Sequence, residues 1–119
     1  MKRMAIVLAA LAPLTALAPL TALAHHGWSE YDQTKTLTLD GRVEEAGYEH
    51  PHGYVKLVAA DRTWIAVLAP PSRMDNRGLS KEMLKRGASV QVVGYQNRNR
   101  PEEMRAERIT VGGKTVELR

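Results

Sequence analysis

The sequence contains no cysteine and no phenylalanine. Without cysteine it can form no disulfide, no iron–sulfur cluster, no thiolate zinc site and no cysteine nucleophile. The lipobox type of bacterial lipoprotein anchor is excluded for the same reason. An oxidising compartment permits disulfides without requiring them, so the lack of cysteine does not argue against export. Without phenylalanine, a core must be filled by Trp64 and by leucine, valine and isoleucine.

Charge of one sign is also scarce. Lysine and arginine number 17 against 13 acidic residues, and two of the 17, Lys2 and Arg3, stand at the head of the chain. The remainder is only mildly basic, which gives no argument for a nucleic-acid partner. Catalytic signatures are missing too. Ser29 lies near His25 and His26, but no Gly-x-Ser-x-Gly elbow is present. Glu44, Glu45 and Glu49 could do acid–base work, yet nothing supplies a nucleophile or a glycine-rich phosphate loop. The chain reads as a binding module, not an enzyme.

What is present begins with an export signal. Lys2 and Arg3 form a positive n-region, Met4 to Leu23 is uncharged and apolar, and Ala22-Leu23-Ala24 fits the small-x-small cleavage pattern. Pro13 to Ala18 is repeated as Pro19 to Ala24, a duplication within the apolar region. An uncleaved membrane anchor is the rival reading, since the run approaches the roughly 20 residues that span a bilayer. Its two prolines and the Ala-x-Ala end argue for cleavage. The expectation is a leader over 1–24 and a periplasmic or secreted product starting at His25, with no membrane span. The oligomeric state is not legible.

Residues 25–35 show no sustained period and read as a flexible arm. From residue 36 to 119 the pattern is that of one small domain. Thr36 to Glu45 alternates apolar and polar residues, as a half-buried strand does, and Gly41 inside it suggests a bend. Gly53 to Ala60 and Thr63 to Ala69 read as a hairpin, the second run more continuously apolar. Pro70-Pro71 ends that strand, and the stretch to Gly78 reads as a polar loop. Ser80 to Gly87 reads as a short helix carrying Met83 and Leu84. Strands follow over Ala88 to Gln96, Met104 to Val111 and Lys114 to Leu118. The alternation slips between Ala106 and Ile109, which suggests a bulge. The fold class expected is therefore all-β with one short helix. Its architecture is a five- to six-stranded Greek-key barrel of OB type, with the helix between strands three and four.

Several short motifs stand in a specific order. They are His25-His26, Tyr31-Asp32, Leu39-Asp40-Gly41-Arg42-Val43, Pro51-His52, Trp64, Arg77-Gly78-Leu79, and Leu84-Lys85-Arg86-Gly87 leading into Val90 to Tyr95. Together they resemble a family of small exported bacterial proteins known only as a domain of unknown function, the 6152 family. The resemblance spans nearly the whole chain after the leader. It implies export and an OB-like barrel, and it brings no activity. The family usually reads Asn-Pro-His where this chain has His50-Pro51-His52, so His52 matches and His50 is an additional imidazole.

All four histidines, His25, His26, His50 and His52, fall in the first half of the chain. Cleavage after Ala24 would give His25 both an α-amine and an imidazole as ligands, and His26 a second imidazole. A nitrogen-rich set of this kind suits Cu(II), and imidazole also suits Zn(II). The plain alternative is a polar arm and a proline turn with no metal. A second functional reading places a non-metal ligand on the barrel face: an envelope protein, a glycan or a small anion. Trp28, Tyr54, Arg98 and Arg100 would hold it, since OB-type barrels often bind with the loop between their fourth and fifth strands. Trp64 is expected in the core. Lys81, Lys85 and Arg86 are expected on an exposed face.

Overall fold

The computed structural model describes residues 27–119. Six strands form: β1 (Leu37–Gly47), β2 (Tyr54–Ala59), β3 (Thr63–Val67), β4 (Ser89–Gln96), β5 (Glu103–Val111) and β6 (Lys114–Glu117). Each lies within one or two residues of its expected bounds, because period-two alternation of apolar residues marks one buried face. β1 pairs antiparallel with both β2 and β4, β2 with β3, and β4 with β5. A parallel pairing of Ile65–Val67 with Glu103–Arg105 closes the five strands into a barrel. β6 is an extra strand paired to the end of β5. This is the expected OB-like barrel.

β1 is long enough to serve two neighbours. Its first half pairs with β4 and its second half with β2, and Gly41 belongs to both ladders. A Cβ at Gly41 would stand 2.4 Å from the Val58 carbonyl oxygen, so only glycine fits where the strand turns the corner. The register bulge in β1 falls three residues further on, at Glu44, between the pairs Val43–Leu57 and Glu45–Lys56. The slip expected in β5 is also a bulge. Val93 faces Arg108 and Gly94 faces Ala106, leaving Glu107 over.

The helix lies between β3 and β4 as expected, but not at Ser80 to Gly87. α1 is Pro71–Asn76, in the segment read as a polar loop. Proline is favoured in the first helical turn, where its missing N–H has no partner to lose, so the Pro70-Pro71 pair that stops β3 also starts α1. Lys81–Leu84 is a single 3-10 turn. It still buries Leu84, while Met83 packs partly buried against the core.

Trp64 is 3% exposed and lies in the core with Val55, Leu57, Val92, Met104 and Ile109. The more continuous apolar run of β3 keeps Ile65 and Val67 only half-buried, facing away from that core.

Candidate functional site

Residues 28–32 of the expected arm are bonded to the barrel. Trp28–Glu30 makes one 3-10 turn, and Tyr31 then bridges to Asn97 as an isolated β pair. The Asp32 amide donates to the Gln96 carbonyl at 2.9 Å, and the Arg98 amide donates to the Glu30 carbonyl at 2.9 Å. Tyr31 is 1% exposed. Its hydroxyl donates to Glu103 Oε2 at 2.8 Å, and Asn97 Nδ2 donates to the same oxygen at 3.0 Å. Burial, and then the Glu103 carboxylate, push the Tyr31 phenol up to about 12.

The loop after β4 is therefore committed to the arm. Arg98 Nε donates to the Ser29 carbonyl at 3.3 Å, and Arg100 lies 3.6 Å from Glu103 Oε1. Both contacts lie at the surface, and the Arg100 side chain remains 52% exposed.

Trp28 sits at the centre of a cationic cluster. The guanidinium carbon of Arg105 lies 4.5 Å from its ring centroid, and that of Arg119 lies 4.4 Å away. Tyr95 meets the same ring edge-on at 6.2 Å. Contacts of this kind attract a cation to the ring face. Arg119 also reaches Gln33 Oε1 at 3.2 Å and Glu107 Oε1 at 3.6 Å, and the Tyr95 hydroxyl donates to Glu107 Oε2 at 2.7 Å. From α1, Arg73 donates to the Leu118 carbonyl at 3.0 Å. Arg105 is 8% exposed, although it lies between the core residues Met104 and Ala106. Strand alternation sends it to the opposite face, where Trp28 covers it.

Arg105 also reaches His52. Its Nη2 lies 3.3 Å from His52 Nε2. Guanidinium has only donors, so Nε2 must accept and the ring proton belongs on Nδ1. The imidazole is thus neutral. Burial lowers its pKa first, followed by the charges of Arg105 and Arg73. Burial also lowers the pKa of Arg105, and Arg73 and Arg119 add like-charge repulsion.

His50 and His52 line one groove of about 440 Å³, together with Tyr48, Glu49, Tyr54 and Lys81. The groove lies over the connection from β1 to β2, where the His50–Pro51 peptide bond is cis. Of the sequence candidates, the structure brings together His50, His52 and Tyr54. Trp28 joins His52 through Arg105. Arg98 and Arg100 stand apart from the groove. His25 and His26 lie outside the described residues. Among the described residues, no three histidine or carboxylate side chains converge as a metal site. No described helix is long and apolar enough to cross a membrane. Sequence reasoning missed Arg73, Arg105 and Arg119, because nothing in the local sequence distinguishes these arginines from the other cations of the chain.

No curated protein matches the sequence. Among solved structures, the chain is similar to the crystal structure of TiaS in complex with an isoleucine tRNA and ATP. The identity is 21% and the TM-score 0.50, over 75% of this chain and 20% of that one. A ZRD-deleted mutant of TiaS in complex with agmatine gives 20% identity and a TM-score of 0.49, over 74% of this chain and 25% of that one. The chain spans a quarter or less of these proteins, and at such identity the first likeness speaks to the barrel alone. The sequence match tells more: a family of unknown function, DUF6152, matches residues 14–104, and the chain belongs to it.

Proposed function

We propose that this is an exported periplasmic binding module that holds Cu(II) or Zn(II) with His25, His26, His52 and His50. The observation that carries the reading is the double contact of Arg105, with Trp28 on one side and His52 on the other. Trp28 is the second residue after His26. Two peptide units reach no more than about 7 Å, so the covalent chain lets the His26 imidazole come within ligand range of His52. His50 lines a groove with His52 and supplies a further imidazole there. Cleavage after Ala24 would add the His25 amine. The donor set is nitrogen-rich and lacks thiolate, as Cu(II) and Zn(II) accept.

The test is a Cu(II) and Zn(II) titration by calorimetry of the processed protein, its mass showing His25 as the first residue. A form with one extra N-terminal residue and the His52→Ala variant are run beside it. One-to-one binding below about micromolar, weakened at least about tenfold in both controls, is the expected result. Equal weak binding in all three forms would overturn the reading.

One observation favours a second reading. Tyr54 and Lys81 stand in the same groove as His50 and His52, and the groove has the size of a small-ligand site. A polar ligand such as a glycan unit or a small anion fits that lining. His52→Ala would then weaken ligand binding while the blocked amino terminus left it unchanged.

A further inference from the structure

We infer that the open edge of β1 takes an extended acidic peptide of a partner protein as an added strand; this goes beyond the metal reading and does not depend on it. Along one edge of β1, β2 pairs from Gly41 to Gly47. Along the other edge, β4 reaches only from Leu37 to Arg42. Val43 makes the last bonds there. Its amide donates to the Ala88 carbonyl at 3.0 Å, and its carbonyl accepts from the Gly87 amide at 2.7 Å. Among the described residues, no backbone bond reaches residues 44–47 on that side. Alternate residues of a strand turn their N–H and C=O groups to each edge, so this stretch offers main-chain donors and acceptors to an incoming chain. Glu44, Glu45 and Ala46 are exposed.

A groove of about 370 Å³ runs beside this edge. Glu45, Ala46 and Tyr48 line it from the β1 side, and Lys81, Lys85 and Arg86 line it from the segment that leads into β4. The Tyr48 hydroxyl donates to the Leu79 carbonyl at 2.6 Å, which holds its ring in place. At about 3.3 Å per residue, residues 44–47 match about four residues of an added strand. Strand addition draws affinity from main-chain bonds and specificity from the side chains beside it. Charge decides which side chains fit here. Lys56, Arg100 and Arg108 pair with Glu44, Glu103 and Glu117. Lys81, Lys85 and Arg86 are exposed and, among the described residues, form no ion pair and no side-chain hydrogen bond. These three cations against one acid, Glu82, leave that wall positive. Acidic side chains on the added strand meet them there. Glu45, on the β1 side, repels an acid placed directly opposite it, which restricts the register.

The experiment selects peptides from a random library displayed on phage against the processed protein, in EDTA so that no metal takes part. The expected result is enrichment of peptides with glutamate or aspartate at alternate positions and no proline between them. The strongest of these, synthesised, should bind at least about tenfold more weakly to the Lys85→Glu, Arg86→Glu double variant, whose two positions are exposed. N-methylation of its alternate amides, which keeps the charge and removes donors, should cost as much. The bound peptide should also slow amide hydrogen exchange within residues 44–47. Three results overturn the inference: no enrichment, enrichment without the acidic pattern, or binding that the double variant does not weaken and that leaves exchange at residues 44–47 unchanged. The metal reading stands or falls on its own titration, whichever of these is found.

Discussion

Arg105 Nη2 stands 3.3 Å from His52 Nε2, while the same guanidinium lies 4.5 Å from the centroid of Trp28. One buried side chain thus ties the turn at Trp28 to the connection between β1 and β2. Trp28 and His52, 24 positions apart in the sequence, become neighbours through it.

Trp28→Ala should loosen the arm without opening the barrel. The ring loses its contacts with Arg105 and Arg119, each worth about 0.5–2 kcal/mol, along with some buried area. Urea unfolding should show a loss of about 1–3 kcal/mol, with residues 28–32 exchanging amide hydrogens faster than the strands.

Tyr31 gives the fold an alkaline limit. Its phenol titrates near 10 in an unfolded chain and is pushed up to about 12 in the folded one. The folded state therefore holds this proton more tightly, so the associated stability is complete below pH 10 and is lost as pH rises toward 12. Stability measured across that window should fall by about 2–3 kcal/mol from this group. Tyr31→Phe should remove that part of the slope and, at pH 7, cost about 1–2 kcal/mol through the lost bond to Glu103.

His52 sets an acid limit of the opposite sense. Its folded pKa is lowered, so below the ordinary histidine value of 6.5 the unfolded chain takes up a proton that the folded site resists. Stability from this group is present above pH 6.5 and declines as pH falls below it. Ring nitrogen resonances should show the Nδ1–H tautomer at pH 7. His52→Asn should flatten the acid side of the stability profile.

Gly94→Ala should be among the most damaging small changes in the chain. A Cβ there would stand 1.9 Å from the Arg105 carbonyl oxygen, so β4 and β5 must separate at the Glu107 bulge. A loss of at least about 1–3 kcal/mol in unfolding experiments is expected. The loss should be accompanied by weaker protection of the Ala106 amide.

The strands were legible because alternation along each one reports which face is buried. That signal covers Leu57, Val92, Ile109 and their neighbours without any knowledge of topology. The helix was misplaced because Pro70-Pro71 ends one element and begins the next, and only the first role is visible in a strand-oriented reading. The candidate site was legible in part. His50 and His52 are two residues apart and share a groove for that reason. Arg105 was not visible as part of it. Alternation says that its side chain leaves the core between Met104 and Ala106, but not that Trp28 returns from 77 positions earlier to cover it. Arg98 and Arg100 were assigned to a ligand because their loop is a common binding loop. Their contacts with the backbone at Ser29 and Glu30 and with the side chain of Glu103 add to that reading what the loop pattern alone does not show.

The most direct measurement is histidine ring ¹⁵N NMR of the processed protein as Zn(II) is added to one equivalent. The account predicts that His52 Nε2 leaves its Arg105-bonded shift and moves to a metal-bound one, in step with the rings of His25 and His26. A His52 resonance that stays in place while the terminal histidines shift, or no shift at any ring, would contradict it.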